Sequence, residues 1–365
     1  MAYTTIDNPE LYFQTLIWSG NDVGTSRAFT FDGSEDMEPD LVWTKIRTGW
    51  AAKHNLWDSV RGVNKNISSD ATTAETTTDQ YGYVSSFDSD GFTGSNGSNV
   101  YNPRYLYNEN GGTYVAWCWK AGTAFSNDAS ATSVGTIDSS GSVSTDAGFS
   151  ITTLTGTGAN GTIAHGLSAV PAMIIHKEIS ADGDNWHTYH HKITSEPETE
   201  FVRLNQDAAT GDESTMWNDT APTSSVYSLG THGGNNESGQ TYISYLFAPK
   251  QGFSKFGSYS SNGSTDGVFC FCGFRPAWVM FKKTSSTANW SIRDNKRDPF
   301  NAGDTNLFAN LTDAESSSND IDFLSNGFKL RTAGSNWNAS SQTYIYMAFA
   351  EAPFVNSNGV PCNAR

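Results

Sequence analysis

Histidines cluster once in this 365-residue chain, at His187, His190 and His191. Such a cluster can belong to a metal centre, but a metal centre needs a further ligand that converges from elsewhere in the fold. Two other parts of the chain repeat this region's pattern, as described below, and neither contains a histidine cluster. We therefore interpret these histidines as strand or loop residues and expect no metal site.

Acidic residues lie two positions apart in the turns Asp88-Ser-Asp-Gly91 and Asp182-Gly-Asp184. Carboxylates at this spacing can share one calcium ion, but both segments lack the downstream Glu that completes the common calcium loop. Turn geometry alone accounts for Asp and Gly at these positions. We favour the turn interpretation over a calcium site.

No catalytic set stands out from the remaining residues. The 38 Asp and Glu residues offer many carboxylate pairs for glycoside hydrolysis, but none has an apolar context that would raise a pKa. A Gly-x-Ser-x-Gly elbow is missing, and Gly156-Thr-Gly158 lacks the lysine and the following helix of a phosphate loop.

The four cysteines, at 118, 270, 272 and 362, form no disulfide or zinc pattern, and those in apolar strand patterns are expected to be buried thiols. We expect no enzyme activity, no cofactor and no metal.

Aromatic residues make up 13% of the chain, and several tryptophans lie in polar segments that predict exposure. Exposed indoles can stack on sugar rings or fill contacts between subunits. In a repeat-built chain with few charges we favour protein contacts over sugar binding. The candidate contact or ligand-facing residues are Trp50, Trp186, Trp217, Trp290 and Trp337, and Trp57 has a similar setting.

The overall charge limits the partners. A formal net charge of −16 repels phosphate backbones and anionic membranes, so we expect no nucleic-acid partner.

No window approaches the roughly 18 apolar residues that a membrane span needs, so we expect no membrane insertion. The opening Met1-Ala-Tyr-Thr-Thr-Ile-Asp7 has neither a basic region nor an apolar run, and we expect no signal peptide.

One segment of the sequence occurs three times. The elements that position the residues discussed above are arranged around these three copies. The copies begin with Thr-Tyr at 113, 241 and 343. Large apolar residues alternate along one face of each copy, while the other face begins with Tyr and then becomes mostly small. Because neither face is polar, each copy is predicted to be a central strand that is buried on both sides.

Further motifs recur with this strand. In each copy a Pro precedes an apolar run that ends in a Lys, a polar turn precedes the Pro, and an Asn lies six residues before the Tyr. These residues are Pro39, Lys45 and Asn108; Pro171, Lys177 and Asn236; and Pro276, Lys282 and Asn338. Two copies also share Asp-x-x-Arg, at 58–61 and 294–297, and an Ala-Glu, at 74–75 and 314–315. Each Lys is expected to end its strand and to pair with an acidic neighbour or with the Asp of Asp-x-x-Arg.

Short strands separated by Gly, Asn and Asp predict an all-β fold of tandem β-sandwich domains, jelly-roll or lectin-like, in three related repeats. The predicted divisions are repeat 1 with an N-terminal arm at 1–121, a Ser/Gly-rich linker at 122–147, repeat 2 at 148–250, and repeat 3 with a C-terminal tail at 251–365. Part of the linker is expected to pair as a β-ribbon. We expect repeats 2 and 3 to pack tightly and the linker to form a hinge for repeat 1.

Several strings resemble a repeat family of marine bacteriophage virion proteins. They are Pro39-Asp-Leu-Val-Trp-Thr-Lys-Ile-Arg47, Trp57-Asp-Ser-Val-Arg-Gly62 and Ser86-Phe-Asp-Ser-Asp-Gly-Phe92 in repeat 1, His165-Gly-Leu-Ser-Ala-Val-Pro171 in repeat 2, and Leu324-Ser-Asn-Gly-Phe-Lys-Leu-Arg331 with Ala348-Phe-Ala-Glu-Ala-Pro-Phe354 in repeat 3. The resemblance covers nearly the whole chain. The chain is similar to podophage proteins that are described as tail-associated or structural. It carries no catalytic residues that could be transferred.

The resemblance implies a non-catalytic structural component of a virion, assembled in the host cytoplasm. We expect a tail-associated, fibre or host-recognition protein that contacts other virion proteins and forms a homo-oligomer, a trimer by analogy. Two alternatives stay open. One is a capsid decoration protein, and the other is a lectin-like module that binds host-surface glycan, or a polysaccharide depolymerase.

Overall fold

The computed structural model describes residues 4–48, 50–334 and 336–353, except the side chains of Asn319 and Asp320. The predicted C-terminal tail from 355 to 365, with Cys362, lies outside the described residues, as do Phe354 and the first three residues. The fold is all-β, as the sequence predicts. The described residues form 27 strands, three four-residue helices (α1 Ala129–Thr132, α2 Ser214–Trp217, α3 Gly233–Asn236) and two 3-10 turns, Pro9–Leu11 and Pro197–Thr199. None of the helices in these ranges is long and apolar enough to cross a membrane.

Three structural units follow one another along the chain. Unit 1 contains β1 (Phe13–Ser19), β2 (Ser26–Phe29), β3 (Leu41–Thr48), β4 (Asn55–Asp58), β5 (Lys65–Asn66), β6 (Thr76–Thr77), β7 (Tyr83–Asp88), β8 (Gly91–Ser95) and β9 (Thr113–Trp119). Unit 2 contains β10 (Thr123–Asn127), β11 (Ser139–Ser144), β12 (Phe149–Thr155), β13 (Gly161–Ala164), β14 (Met173–Glu178), β15 (His187–His190), β16 (Glu200–Arg203), β17 (Gly211–Asp212), β18 (Val226–Leu229) and β19 (Thr241–Phe247). Unit 3 contains β20 (Ser254–Ser260), β21 (Phe269–Phe271), β22 (Phe274–Lys283), β23 (Ser291–Asp294), β24 (Gly303–Phe308), β25 (Ser316–Leu324), β26 (Gly327–Leu330) and β27 (Thr343–Pro353).

The same four strands form the core sheet of every unit. Their order is β1-β9-β3-β4 in unit 1, β12-β19-β14-β15 in unit 2 and β20-β27-β22-β23 in unit 3, and all pairs are antiparallel. The repeated apolar strand is therefore β9, β19 or β27, with a hydrogen-bonded neighbour on each side. This confirms the prediction of a central strand that is buried on both faces.

The inward faces of the three central strands contribute to one hydrophobic core. This core also contains inward residues of the flanking strands from every unit. At its centre Trp119, Phe247 and Phe349, each five residues after the repeated Tyr, contact one another with ring centroids 5.6 to 6.4 Å apart. The three rings are equivalent because each strand places a large apolar residue at the same position of the repeat.

The outward faces belong to separate small cores. Ala116 and Cys118 pack beneath β2, β8 and β7, Leu246 packs beneath β13 and β18, and the outward side of β27 packs beneath β25, β26 and β21. Each unit is thus a sandwich whose outer layer is its own and whose inner layer faces the other two units. The cysteines Cys118, Cys270 and Cys272 are buried in these outer cores as free thiols.

The repeated Asn holds the polar turn that precedes each Pro, and the repeated Tyr holds the residue that follows the Asn. The Asn Oδ1 accepts a backbone N–H from this turn in all three units: Asn21 to Asn108 at 3.2 Å, Thr157 to Asn236 at 2.9 Å and Asn262 to Asn338 at 3.1 Å. The Tyr hydroxyl accepts a backbone N–H five residues upstream, from Glu109, Glu237 or Ala339. These buried side chains explain why the two residue types recur at a fixed spacing.

The segment 122–147, for which the composition predicts a linker, contributes two strands to the sheet of unit 2. Strand β10 pairs with β11, and β11 pairs with β12, so part of the segment pairs as expected. Its Ser142 hydroxyl donates to Asp40 of unit 1 at 3.1 Å, and Val143 is buried. Residues of unit 1 share the common core with residues of the other two units, so the segment provides no hinge between them.

Shortening Trp119 to alanine should destabilise all three units together. The change removes the contacts of one indole with both neighbouring units and is expected to lower the free energy of unfolding by about 3–5 kcal/mol. Urea unfolding followed by fluorescence and by circular dichroism should give one shared transition, moved to lower urea. Tyr101→Ala, at a side chain that is 88% exposed, is the matched control. A shift confined to part of the signal would contradict a shared core.

Candidate functional site

The seams between units hold most of the candidate polar side chains. At each seam a backbone N–H after the Pro-to-Lys strand donates to a carbonyl of the next unit: Ala52 to Thr312 at 2.9 Å, Gly183 to Thr72 at 3.0 Å and Ala288 to Asp207 at 2.9 Å. The return bonds run from Glu315 to Arg47, Glu75 to Ile179 and Thr210 to Thr284, at 2.7 to 3.0 Å. Unit 1 thus pairs with unit 3, unit 3 with unit 2, and unit 2 with unit 1, which closes the ring.

The repeated lysines are buried at these seams and donate to carbonyl oxygens. Lys45 Nζ lies 2.9 Å from the Ile46 oxygen and 3.2 Å from the Thr312 oxygen, and Lys282 Nζ lies 2.7 Å from the Ala288 oxygen. Lys177 donates to the Glu178 carbonyl of its own strand. Burial lowers the pKa of Lys45 and of Lys282 to about 8. The expectation that these lysines pair with acidic side chains is wrong, because the seam places main-chain oxygens around them.

The Asp-x-x-Arg motif forms a buried ion pair in units 1 and 3. Arg61 Nε donates to Asp58 Oδ2 at 2.5 Å, and its Nη1 donates to Glu75 at 3.2 Å. Arg297 binds Asp294 and Glu315 at the same distances. Burial alone would lower the pKa of both guanidinium groups, but the adjacent Asp carboxylates raise it above its ordinary value. Each cluster is a fixed, charged pair inside the protein.

Each buried carboxylate also accepts a hydrogen bond from the neighbouring unit. Trp117 Nε1 of unit 1 donates to Asp294 Oδ2 at 2.9 Å, and the Tyr245 hydroxyl of unit 2 donates to Asp58 Oδ2 at 2.7 Å. Trp117 and Tyr245 occupy the same position of the repeated strand, three residues after its Tyr. Burial, followed by the nearby Asp58 charge, raises the pKa of Tyr245 well above its ordinary value, so the phenol stays a donor.

The third seam replaces both partners together. The position of Trp117 and Tyr245 is Met347 in unit 3, and the position of the Asp is His190 in unit 2. His190 Nε2 instead lies 3.2 Å from the Tyr346 carbonyl oxygen, which is the hydrogen-bonding group that the unit 3 strand offers there. Burial lowers the pKa of His190 to about 3, so the ring is neutral. Donor and carboxylate are thus present together or absent together.

The histidine cluster and one of the two acidic turns contribute to the same seams. His191 Nε2 lies 3.1 Å from the Phe256 carbonyl oxygen of unit 3, and Asp182 Oδ1 accepts the Ala74 N–H of unit 1 at 2.6 Å. Asp88 accepts hydrogen bonds from the hydroxyl groups of Ser86 and Thr93 within its own hairpin. Within the described ranges, no group of three His, Cys, Asp or Glu side chains could hold a metal ion.

The tryptophans predicted to be exposed are mostly interior. Trp186, Trp217, Trp290 and Trp337 are at most 3% exposed, and Trp57 is also buried, so the predicted exposure is wrong for all five. The indole N–H groups of Trp186 and Trp290 donate across seams to the Ser68 and Arg203 oxygens, at 2.9 and 2.8 Å. Those of Trp217 and Trp337 donate to the Glu200 carbonyl and the Ser291 hydroxyl. Polar sequence context was a poor guide to exposure here, because each of these four indole N–H groups has an acceptor inside the protein.

Trp50 differs from the other candidates. It is 41% exposed, and its ring lies 5.7 Å from that of Tyr105. Tyr105 forms part of the wall of a cavity of about 650 Å³ in unit 1, which Thr312 of unit 3 also lines. This cavity could not be read from the sequence, because its walls come from four separate segments.

Together, the fold and the site define an all-β protein of three related units that close around one core through buried polar seams. The family model described as Domain of unknown function (DUF7483) matches residues 8–353, and the chain belongs to this family. No curated protein and no solved structure matches the chain.

Residues 58 and 245 should be energetically coupled. Removing the Tyr245 hydroxyl by Tyr245→Phe leaves Asp58 without one of its donors, and we expect a loss of about 1–3 kcal/mol in the free energy of unfolding. In a double-mutant cycle with Asp58→Asn, much of this loss should appear as coupling. The matched cycle pairs Tyr245→Phe with Asp294→Asn, whose partner is Trp117, and its coupling should be near zero. Equal coupling in both cycles would contradict the seam order.

Proposed function

We propose that this protein is a structural component of a bacteriophage virion, tail-associated or in a fibre or host-recognition assembly, and that it has no catalytic role. The proposal begins from the strings that resemble marine bacteriophage virion proteins. It also includes assembly with other virion proteins and with further copies of the chain, in a virion built in the host cytoplasm.

The observation that carries the proposal is the use made of the buried ionisable groups. Asp58, Arg61, Asp294 and Arg297 are each fixed by several hydrogen bonds, and the two carboxylates also accept donors from the neighbouring unit. A carboxylate that serves as acid, base or nucleophile must be free to contact a substrate. Here the arginines fix the two carboxylates, and the carboxylates join one unit to the next, which favours a rigid building block.

The outer surface offers places for contact with other proteins. Apolar side chains at loop positions are strongly exposed, with Val100 and Tyr101 both at 88% and Phe300 at 82%. Exposed apolar side chains of this kind are common where one protein contacts another. A position on the tail is preferred over capsid decoration because of the proteins that the sequence resembles.

Purified phage particles provide the test. If the proposal holds, mass spectrometry of particles separated on a density gradient should detect the chain in stoichiometric amounts with other virion proteins. Labelling with an antibody, followed by electron microscopy, should place it on the tail. Signal on the head lattice would favour the capsid decoration alternative, and absence from washed particles would contradict the proposal. Release of reducing sugar from host polysaccharide by the purified chain would contradict the absence of catalysis.

A further inference from the structure

A cavity in unit 1 lies beside the seam with unit 3, since Ala52 and Thr312, which share a seam hydrogen bond, both line it. Sixteen residues line its volume of about 650 Å³, within the range of small-molecule sites. Eight of the sixteen are Ser, Thr, Asn or Gln, so the wall offers many hydrogen-bonding groups. The charged residues on this wall are Lys53 and Asp79, which carry opposite charges. The lining therefore suits a neutral ligand that is rich in hydroxyl groups.

A buried acceptor in this wall has no protein partner. Asn66 lines the cavity and is 4% exposed, and its Oδ1 accepts no hydrogen bond. The orientation of its amide is fixed, since Asn55 Nδ2 donates to the Lys53 carbonyl and Asn55 Oδ1 therefore faces Asn66 Nδ2, at 2.8 Å. A buried acceptor without a partner is costly. The Oδ1 atom itself is closed off from solvent, so a ligand hydroxyl group in the cavity reaches it only when the side chains around it move.

Aromatic rings stand beside these polar groups. Tyr81 and Tyr105 line the cavity with ring centroids 6.1 Å apart and planes at 65°, and the ring of Trp50 lies against Tyr105. Tyr81 is 37% exposed and Trp50 is 41% exposed. Exposed aromatic faces next to amide and hydroxyl groups match a sugar ring, which has apolar C–H faces and an equatorial belt of hydroxyl groups.

From these observations we propose that the cavity of unit 1 is a binding site for a neutral saccharide. Tyr81 and Tyr105 contact the C–H face of the sugar, and the amide and hydroxyl side chains of the wall, Asn66 among them, bind its hydroxyl groups. The site binds the saccharide without cleaving it. That the saccharide belongs to a host surface rests on the proposed function, whereas saccharide binding itself does not.

The test uses the whole chain on an array of neutral and acidic oligosaccharides, followed by calorimetric titration with the neutral oligosaccharide that binds best. Tyr81→Ala should weaken this binding on the order of tenfold. Tyr101→Ala removes an equally large ring that is 88% exposed and does not line the cavity, so it should leave the affinity within about twofold. Asn66→Leu should also abolish or weaken binding, and thermal melting checks that this variant folds. If Asn66→Leu does not fold, Tyr81→Ala decides the question.

Two results would overturn the site. One is an array on which the wild-type chain binds no neutral oligosaccharide, and the other is a Tyr81→Ala variant with the affinity of the wild type. Neither result concerns the virion, since detection of the chain in particles does not depend on sugar. Conversely, saccharide binding by a chain that is absent from particles would remove the virion proposal and leave the site in place.

Discussion

The contact among Trp119, Phe247 and Phe349 is the constraint on which the rest of the structure depends. Each residue lies at the same position of a repeated strand, and each ring touches the rings of the other two units. A single unit would leave this inner face in water, and burying it is the main favourable contribution to folding. The three repeats therefore form one folding unit with a common core, even though each has its own outer layer.

Closing a ring around an apolar core creates a second requirement, because main-chain and charged groups at the seams are also removed from water. The seams meet this requirement with repeated solutions: paired backbone bonds, a lysine on carbonyl oxygens, and a carboxylate that accepts a donor from the next unit. Where unit 2 has His190 in place of the Asp, unit 3 has Met347 in place of the donor. A buried carboxylate that loses one of its hydrogen-bond donors is destabilised, so the two positions are constrained as a pair.

Sequence reasoning recovers what periodicity encodes. Alternation along residues 113–119 identified a central strand and its large face, but periodicity cannot say what covers that face, and so the common core was missed. The Ser- and Gly-rich composition of 122–147 predicted a linker, but the segment contains two paired strands. Small polar residues are compatible with a β-sheet as well as with a flexible linker. Trp186 and Trp290 were predicted to be exposed because their acceptors, Ser68 and Arg203, are distant in sequence. The repeated Asp-x-x-Arg and Ala-Glu motifs were the sequence signal for the ion clusters. Nothing in the sequence marked Trp117 and Tyr245 as the residues that donate hydrogen bonds to the buried carboxylates.

Native-state hydrogen exchange tests the common core most directly, because it measures the opening of each strand separately. The amides of β9, β19 and β27 should exchange with one free energy, equal to that of global unfolding measured with urea. They should also keep that equality as urea is added, since no unit can open its inner face without exposing the other two. Exchange of one central strand at a clearly lower free energy, with the other two still protected, would show independent units and contradict the account.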